Sequence, residues 1–118
     1  MTIPTPHAPT LAIPLACVPG AIPAGGRDAH FELLTRLFTT AARERRGLPD
    51  GYAYRFDADA LGDLARWIAN ERRCCPFLTF TVELSPNDGP LWLRLTGPDG
   101  TQSFLDAELP WRPASPTG

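Results

Sequence analysis

A strict alternation of apolar and polar residues marks two neighbouring stretches, "FLTFTVEL" (77–84) and "PLWLRLT" (90–96). A period of two is typical of a strand with one buried face. The intervening "SPNDG" is rich in residues that favour turns. The pattern therefore predicts a β-hairpin that buries a single face. The residues expected on that face are Leu78, Phe80, Val82, Leu84, Leu91, Leu93 and Leu95.

Two other stretches have the period of a helix. The first predicted helix begins at Asp28 and ends near Gly47, which places the arginines of "RERR" (43–46) at its negative end. The second begins at Asp57 or Asp59, follows the alternating strand "YAYRF" (52–56), and ends before Pro76. The apolar face of the first helix consists of Phe31, Leu34, Leu37, Phe38 and Ala41, and that of the second of Leu61, Leu64, Ala65 and Ile68.

The remaining elements complete a predicted fold class. The apolar run 11–18 indicates a first strand, and 101–109 a last short helix. The order β-α-β-α-β-β-α predicts an α+β two-layer sandwich, with helices on one face of a small, mostly antiparallel sheet. The proline-rich ends predict a flexible segment 1–12 and a flexible tail 110–118 around a single domain, 13–109.

Composition excludes several classes of function. The chain has 118 residues and a formal net charge of -2, so it lacks the basic surface that binds nucleic acid or an anionic membrane. All eleven basic residues are arginine, which excludes a Schiff base, a lysine general base and a phosphate-loop lysine. No apolar run is long enough to span a bilayer, and "MTIPTPHAPT" does not resemble a signal peptide. We therefore expect a cytoplasmic protein with reduced thiols.

The stretch "ERRCCPF" (71–77) at the end of the second helix carries the main chemical signal. Each helical residue advances by about 100°, which puts Cys75 in line with the apolar face. Glu71 precedes Cys75 by one turn and can reach both thiols. Cys74 is expected on the flank of the helix near Trp67, off the core face. Pro76 bends the helix end, which lets the two sulfur atoms converge.

The chemistry of these residues favours metal binding over a simple nucleophile. Arg72 and Arg73 stabilise a thiolate, whereas Glu71 and the helix C-terminus disfavour it. A bound cation deprotonates thiols and attracts a carboxylate, so it suits the whole set. Neighbouring Cα atoms lie about 3.8 Å apart, below the usual disulfide range of about 4.4–6.8 Å, so a Cys74–Cys75 bridge would be strained and readily reduced.

A third cysteine, Cys17, ends the predicted first strand and can approach the end of the second helix. Three thiolates, or two with a carboxylate, suit Hg(II), Cu(I) or arsenite, or zinc with a fourth ligand. The spacing is not that of a zinc finger. The two histidines, His7 and His30, are expected to be solvated.

At "LACVPGAIP", "LPDGYAYRFD", "ERRCCPFLTFTVEL" and "LWLRLTGPDG", the chain resembles a family of small bacterial proteins whose function is uncharacterised. Its pattern is an N-terminal Ala-Cys, then Glu-Arg-x-Cys-Cys-Pro-Phe, two strands and a Thr-Gly-Pro turn. The resemblance spans roughly residues 15 to 106, in keeping with one domain. It implies that Cys17, Glu71, Cys74 and Cys75 belong to one shared pattern, and it implies no activity.

Three hypotheses of different classes follow. The leading one is capture of a soft metal or metalloid ion, with Cys17, Cys74 and Cys75 as ligands and Glu71 as a ligand or proton acceptor. The second is a thiol-based enzyme that acts on a thiol-reactive small molecule, either by Cys74–Cys75 disulfide exchange or by cleavage of an organometal between two thiolates and Glu71. The third is a structural or regulatory protein whose cysteines only pack. Trp92 and Arg94 point away from the buried face of the hairpin, so a homodimer through that surface is a candidate assembly.

Overall fold

A computed structural model describes residues 20, 22 and 24–111 of the chain. Within them the helices are α1 (Arg27–Arg36), α2 (Leu61–Cys74) and α3 (Thr101–Glu108). The strands are β1 (Ala42–Leu48), β2 (Gly51–Phe56), β3 (Thr79–Leu84) and β4 (Leu91–Thr96). The strands form an antiparallel sheet in the order β1-β2-β4-β3. The predicted α+β class is confirmed, and the predicted first strand at 11–18 lies outside the described residues.

The first helix is shorter than the sequence predicts. α1 ends at Arg36, a π-helical turn covers Leu37–Ala41, and the chain then enters β1. The prediction of a helix up to Gly47 is therefore wrong. β1 is an edge strand that is largely exposed, so its sequence "ARERRGL" shows no apolar alternation that could have revealed it. Its arginines bind a carboxylate on β1, one directly after β2 and one on α3, and do not lie at a helix end.

The core lies between the helices and the two central strands. β4 alternates as predicted, with Leu91, Leu93 and Leu95 buried. On β2, Tyr54 and Phe56 are fully buried and make edge contacts with Phe38 of the π-helical turn. Trp67 of α2 also contacts Phe38. Aromatic rings from both layers thus interlock at the centre of the fold.

The other edge strand, β3, is buried less than its pattern predicts. Val82 and Leu84 are 38% and 59% exposed, although both lie on the face predicted to be inside. β3 is the last strand of the sheet in the described residues. An alternating pattern shows that one face is apolar, but it does not show that a helix covers that face. The hairpin itself is as predicted, with β3 and β4 paired antiparallel.

The helices α1 and α2 pack antiparallel. Arg36 at the end of α1 pairs with Asp63 near the start of α2, and His30 near the start of α1 contacts Glu71 near the end of α2. The C-terminal end of α2 therefore packs against the first turn of α1. In the described part of the chain, no helix has the length and apolar character needed to cross a membrane.

Candidate functional site

The buried face of α2 is set by its tryptophan. Leu64, Trp67, Glu71 and Cys74 are buried, whereas Leu61 and Ala65 are exposed. The buried stripe therefore follows positions 64, 67, 71 and 74, rotated from the stripe that the aliphatic residues predicted. The expectation that Cys74 lies off the core face is wrong, because it shares this stripe with the indole that fills the core. Cys74 carries a free thiol.

Cys75 ends the helix and remains inside the protein. Its backbone N–H donates to the carbonyl oxygen of Glu71 at 2.7 Å, but its own dihedral angles, φ -121° and ψ 76°, are no longer helical. Pro76, which disfavours a helical conformation at the residue before it, accounts for this ending. The change of direction keeps the side chain of Cys75 fully buried. Both thiols therefore enter the interior from consecutive positions.

The two thiols converge on the carboxylate of Glu71. One ligand atom from each of Glu71, Cys74 and Cys75 lies within 4.8 Å of the other two, and all three side chains are buried. The thiol of Cys75 donates to Oε2 of Glu71 at 3.2 Å. The three ligand atoms therefore lie close enough together to bind one metal ion. Its donor set is two sulfur atoms and one carboxylate oxygen.

One polar residue that contacts this cluster was not predicted from the sequence. His30 is 3% exposed, and its Nε2 lies 2.8 Å from Oε1 of Glu71. The expectation that His30 is solvated is therefore wrong. The signal was a second stripe on α1: His30, Leu33 and Leu37 recur at i, i+3 and i+7, and all three are buried, whereas Phe31 of the predicted stripe is 56% exposed.

The hydrogen bonds divide the two carboxylate oxygens of Glu71 between two partners. Oε1 contacts the imidazole of His30, and Oε2 accepts from the thiol of Cys75. With an ionised carboxylate, Nε2 of His30 must be the donor, because a carboxylate oxygen only accepts. Among the described residues, Nδ1 of His30 is buried without a hydrogen-bond partner. The hydrogen bond that the imidazole makes within this part of the chain is therefore directed at Glu71.

Among the described residues, Glu71 has no arginine partner. Arg72 and Arg73 are exposed, and neither forms an ion pair with Glu71. A buried carboxylate without a guanidinium partner is uncommon, because burial of an ionised group is costly unless it is paired.

The remaining predicted site residue, Cys17, lies outside the described residues, as does His7. In comparisons with protein-family models, with curated proteins and with solved structures, the chain has no match. The resemblance to a bacterial family therefore stays a prediction.

Proposed function

We propose that the protein captures a metal or metalloid ion through Cys74, Cys75 and Glu71, and that it acts in a reducing compartment such as the cytoplasm. The observation that carries the proposal is the mutual distance of the three ligand atoms, within 4.8 Å, in a buried position. Ligand atoms around a tetrahedral ion with bonds of about 2.3 Å lie about 3.8 Å apart, and a linear sulfur–metal–sulfur unit spans about 4.6 Å. Both arrangements fit inside that limit.

The donor types support the same proposal. Thiolate sulfur binds Hg(II), Cu(I), arsenite and zinc, and a carboxylate adds an oxygen ligand for zinc. Binding requires deprotonated thiols, so capture of an ion releases protons and is favoured by higher pH. Burial excludes water from the sulfur–metal bonds and strengthens their electrostatic part. The proposal includes Cys17, which lies outside the described residues, as a third thiolate.

The proposal is tested by titration of the reduced, metal-free protein with Hg(II), arsenite, Cu(I) and Zn(II). Thiolate absorption reports sulfur–metal bonds, and native mass reports the number of ions per chain. We expect one ion per chain, binding lost in Cys74→Ser and in Cys75→Ser, and weaker binding in Cys17→Ser. Glu83→Gln is the control for a general effect of substitution, because Glu83 is an exposed carboxylate that pairs with Arg94 and does not belong to the cluster.

Two outcomes would count against ion capture. The first is an affinity no higher than that of a small free dithiol, which would show that the fold adds nothing to two sulfur atoms. The second is that Cys74→Ser and Cys75→Ser change only the free energy of unfolding, which is the result expected if the cysteines only pack.

A thiol-based enzyme is the second candidate, and the hydrogen bonds of Glu71 favour it. The thiol of Cys75, the carboxylate beside it and His30 behind that carboxylate form a nucleophile, a base and an orienting group within hydrogen-bond reach. Cys75 has no exposed surface, so a substrate reaches it only after local opening. For this reason we rank the enzyme below ion capture.

The enzyme hypothesis predicts reactivity without metal. Iodoacetamide should modify Cys75 of the metal-free protein, and Glu71→Gln should slow that reaction by removing the base. Reversible loss of two thiols under mild oxidation would indicate disulfide chemistry. Equal rates for the wild type and Glu71→Gln would contradict activation of Cys75 by the carboxylate.

A further inference from the structure

We infer that His30 is a positioning residue that fixes Glu71 as an oxygen ligand, and that the site is therefore adapted to a zinc-like divalent ion. This inference rests on the proposed function and adds the class of ion to it. It starts from the contact between Nε2 of His30 and Oε1 of Glu71, at 2.8 Å, which joins two helices across 41 positions of sequence.

The contact leaves one carboxylate oxygen for the ion. Because His30 holds Oε1, the carboxylate cannot rotate freely, and Oε2 faces the thiol of Cys75 at 3.2 Å. The proton between Sγ and Oε2 is the one that leaves when the thiol becomes a ligand. An ion that replaces this proton is bound by Sγ of Cys75 and Oε2 of Glu71, which already face each other.

His30 is held in place by α1 and by the packing of α1 against α2. His30 lies on α1, next to the buried Leu33, and the far end of α1 is tied to α2 by the Arg36–Asp63 ion pair. The imidazole is buried, so it has little freedom to turn away. A site whose ligands are held by packed neighbours binds its ion with less loss of side-chain entropy.

The fixed carboxylate distinguishes between ions that bind two thiolates equally well. Hg(II) and Cu(I) are soft ions that thiolates alone satisfy, so a carboxylate adds little to their binding. Zinc takes sulfur, nitrogen and oxygen ligands in a tetrahedral arrangement, so the carboxylate of Glu71 supplies a real third bond. The influence of His30 should therefore appear for zinc and be nearly absent for mercury.

The experiment compares Zn(II) and Hg(II) affinities in five proteins: wild type, His30→Leu, His30→Gln, Glu71→Gln and the double variant His30→Leu/Glu71→Gln. Zn(II) affinity is measured by competition with a chromophoric chelator, and Hg(II) affinity by thiolate absorption against a competing thiol.

We expect His30→Leu to weaken Zn(II) binding by about 10- to 100-fold and Hg(II) binding by less than about threefold. His30→Gln keeps an N–H donor and should recover most of the zinc affinity. In the Glu71→Gln background, His30→Leu should change zinc affinity by less than about threefold.

The outcomes separate this inference from the proposed function. Failure of every ion to bind the wild type would overturn the proposed function itself. Binding of Hg(II) without Zn(II) would leave ion capture standing and overturn the adaptation to zinc. Equal losses for both ions in His30→Leu, or a loss that persists in the Glu71→Gln background, would overturn the positioning role. Urea unfolding of each metal-free variant identifies a misfolded protein, and His30→Gln then carries the comparison.

Discussion

Carboxylates occur in two contrasting regions of this molecule. On the sheet face away from the helices, Glu44 accepts from Arg46 at 2.7 Å and from Arg55 at 3.0 Å, and Glu83 accepts from Arg94 at 3.1 Å. These side chains are partly or largely exposed. Between α1 and α2, Glu71 is 5% exposed, and its partners are an imidazole and a thiol.

The two regions differ in what a carboxylate costs the folded protein. Exposed ion pairs contribute little to folding and cost little, because water and salt screen them. A buried carboxylate beside two thiols is costly to the fold, since its partners compensate it less well than a guanidinium does. Groups of this kind concentrate at functional sites. The outer face of the sheet carries exposed, paired charges, and the α1–α2 boundary carries the candidate site.

Removal of a single carboxylate should give the largest contrast between the two regions. Glu71→Ala should destabilise the metal-free protein by about 1–3 kcal/mol, because the N–H of His30 and the S–H of Cys75 lose their acceptor inside the protein. Glu83→Ala should change the free energy of unfolding by no more than about 0.5 kcal/mol. Urea denaturation followed by tryptophan fluorescence measures both. Similar values for the two variants would show that the burial of Glu71 has no energetic consequence.

Replacement of both buried partners should have a smaller effect than removal of one. The double variant His30→Leu/Glu71→Met places apolar groups in the same space and removes the imidazole and the carboxylate, so that of these groups only the weak S–H donor of Cys75 remains. We expect its stability to lie within about 1 kcal/mol of the wild type, while zinc binding is lost. This result would show that His30 and Glu71 are needed for zinc binding and not for folding.

The matched control for that prediction is Glu83→Met/Arg94→Leu, which removes an exposed pair. Its two single effects should be small and additive, because solvent replaces each lost partner. If the buried double variant were instead as unstable as the sum of its single variants, His30 and Glu71 would not be coupled.

Most of the architecture was predictable, because burial leaves a periodic trace in sequence. The hairpin of β3 and β4, the turn before β2 and the extent of α3 all follow from alternation and turn residues. β1 was missed because an exposed edge strand is free to carry arginine at most positions, and those arginines also suit a helix end. The exposure of β3 was missed because it depends on which strand lies at the edge, and strand order is a long-range property.

The site was predictable in its sulfur and carboxylate groups and unpredictable in its imidazole. Glu71, Cys74 and Cys75 are neighbours on one helix, so local geometry alone brings them together. His30 meets them only because α1 and α2 pack antiparallel, and no local rule gives that pairing. Trp67 decided which face of α2 is buried, since a large indole outweighs the smaller aliphatic residues that suggested another face.

The smallest effect concerns protonation on the exposed side of the comparison. Hydrogen bonds from Arg46 first and from Arg55 second lower the pKa of Glu44 below its ordinary value. Because the folded-state pKa is the lower one, the stabilisation is complete above the unfolded pKa of about 4.3 and is lost as pH falls through the folded pKa. An NMR titration of the Glu44 carboxyl carbon should show its midpoint rise in Arg46→Gln and rise less in Arg55→Gln. Arg94→Gln, on the same face, should leave it unchanged. A midpoint at the ordinary glutamate pKa in the wild-type protein would mean that Arg46 and Arg55 do not form lasting hydrogen bonds with Glu44 in solution. The exposed carboxylate would then differ from Glu71 in its hydrogen bonds as well as in its burial.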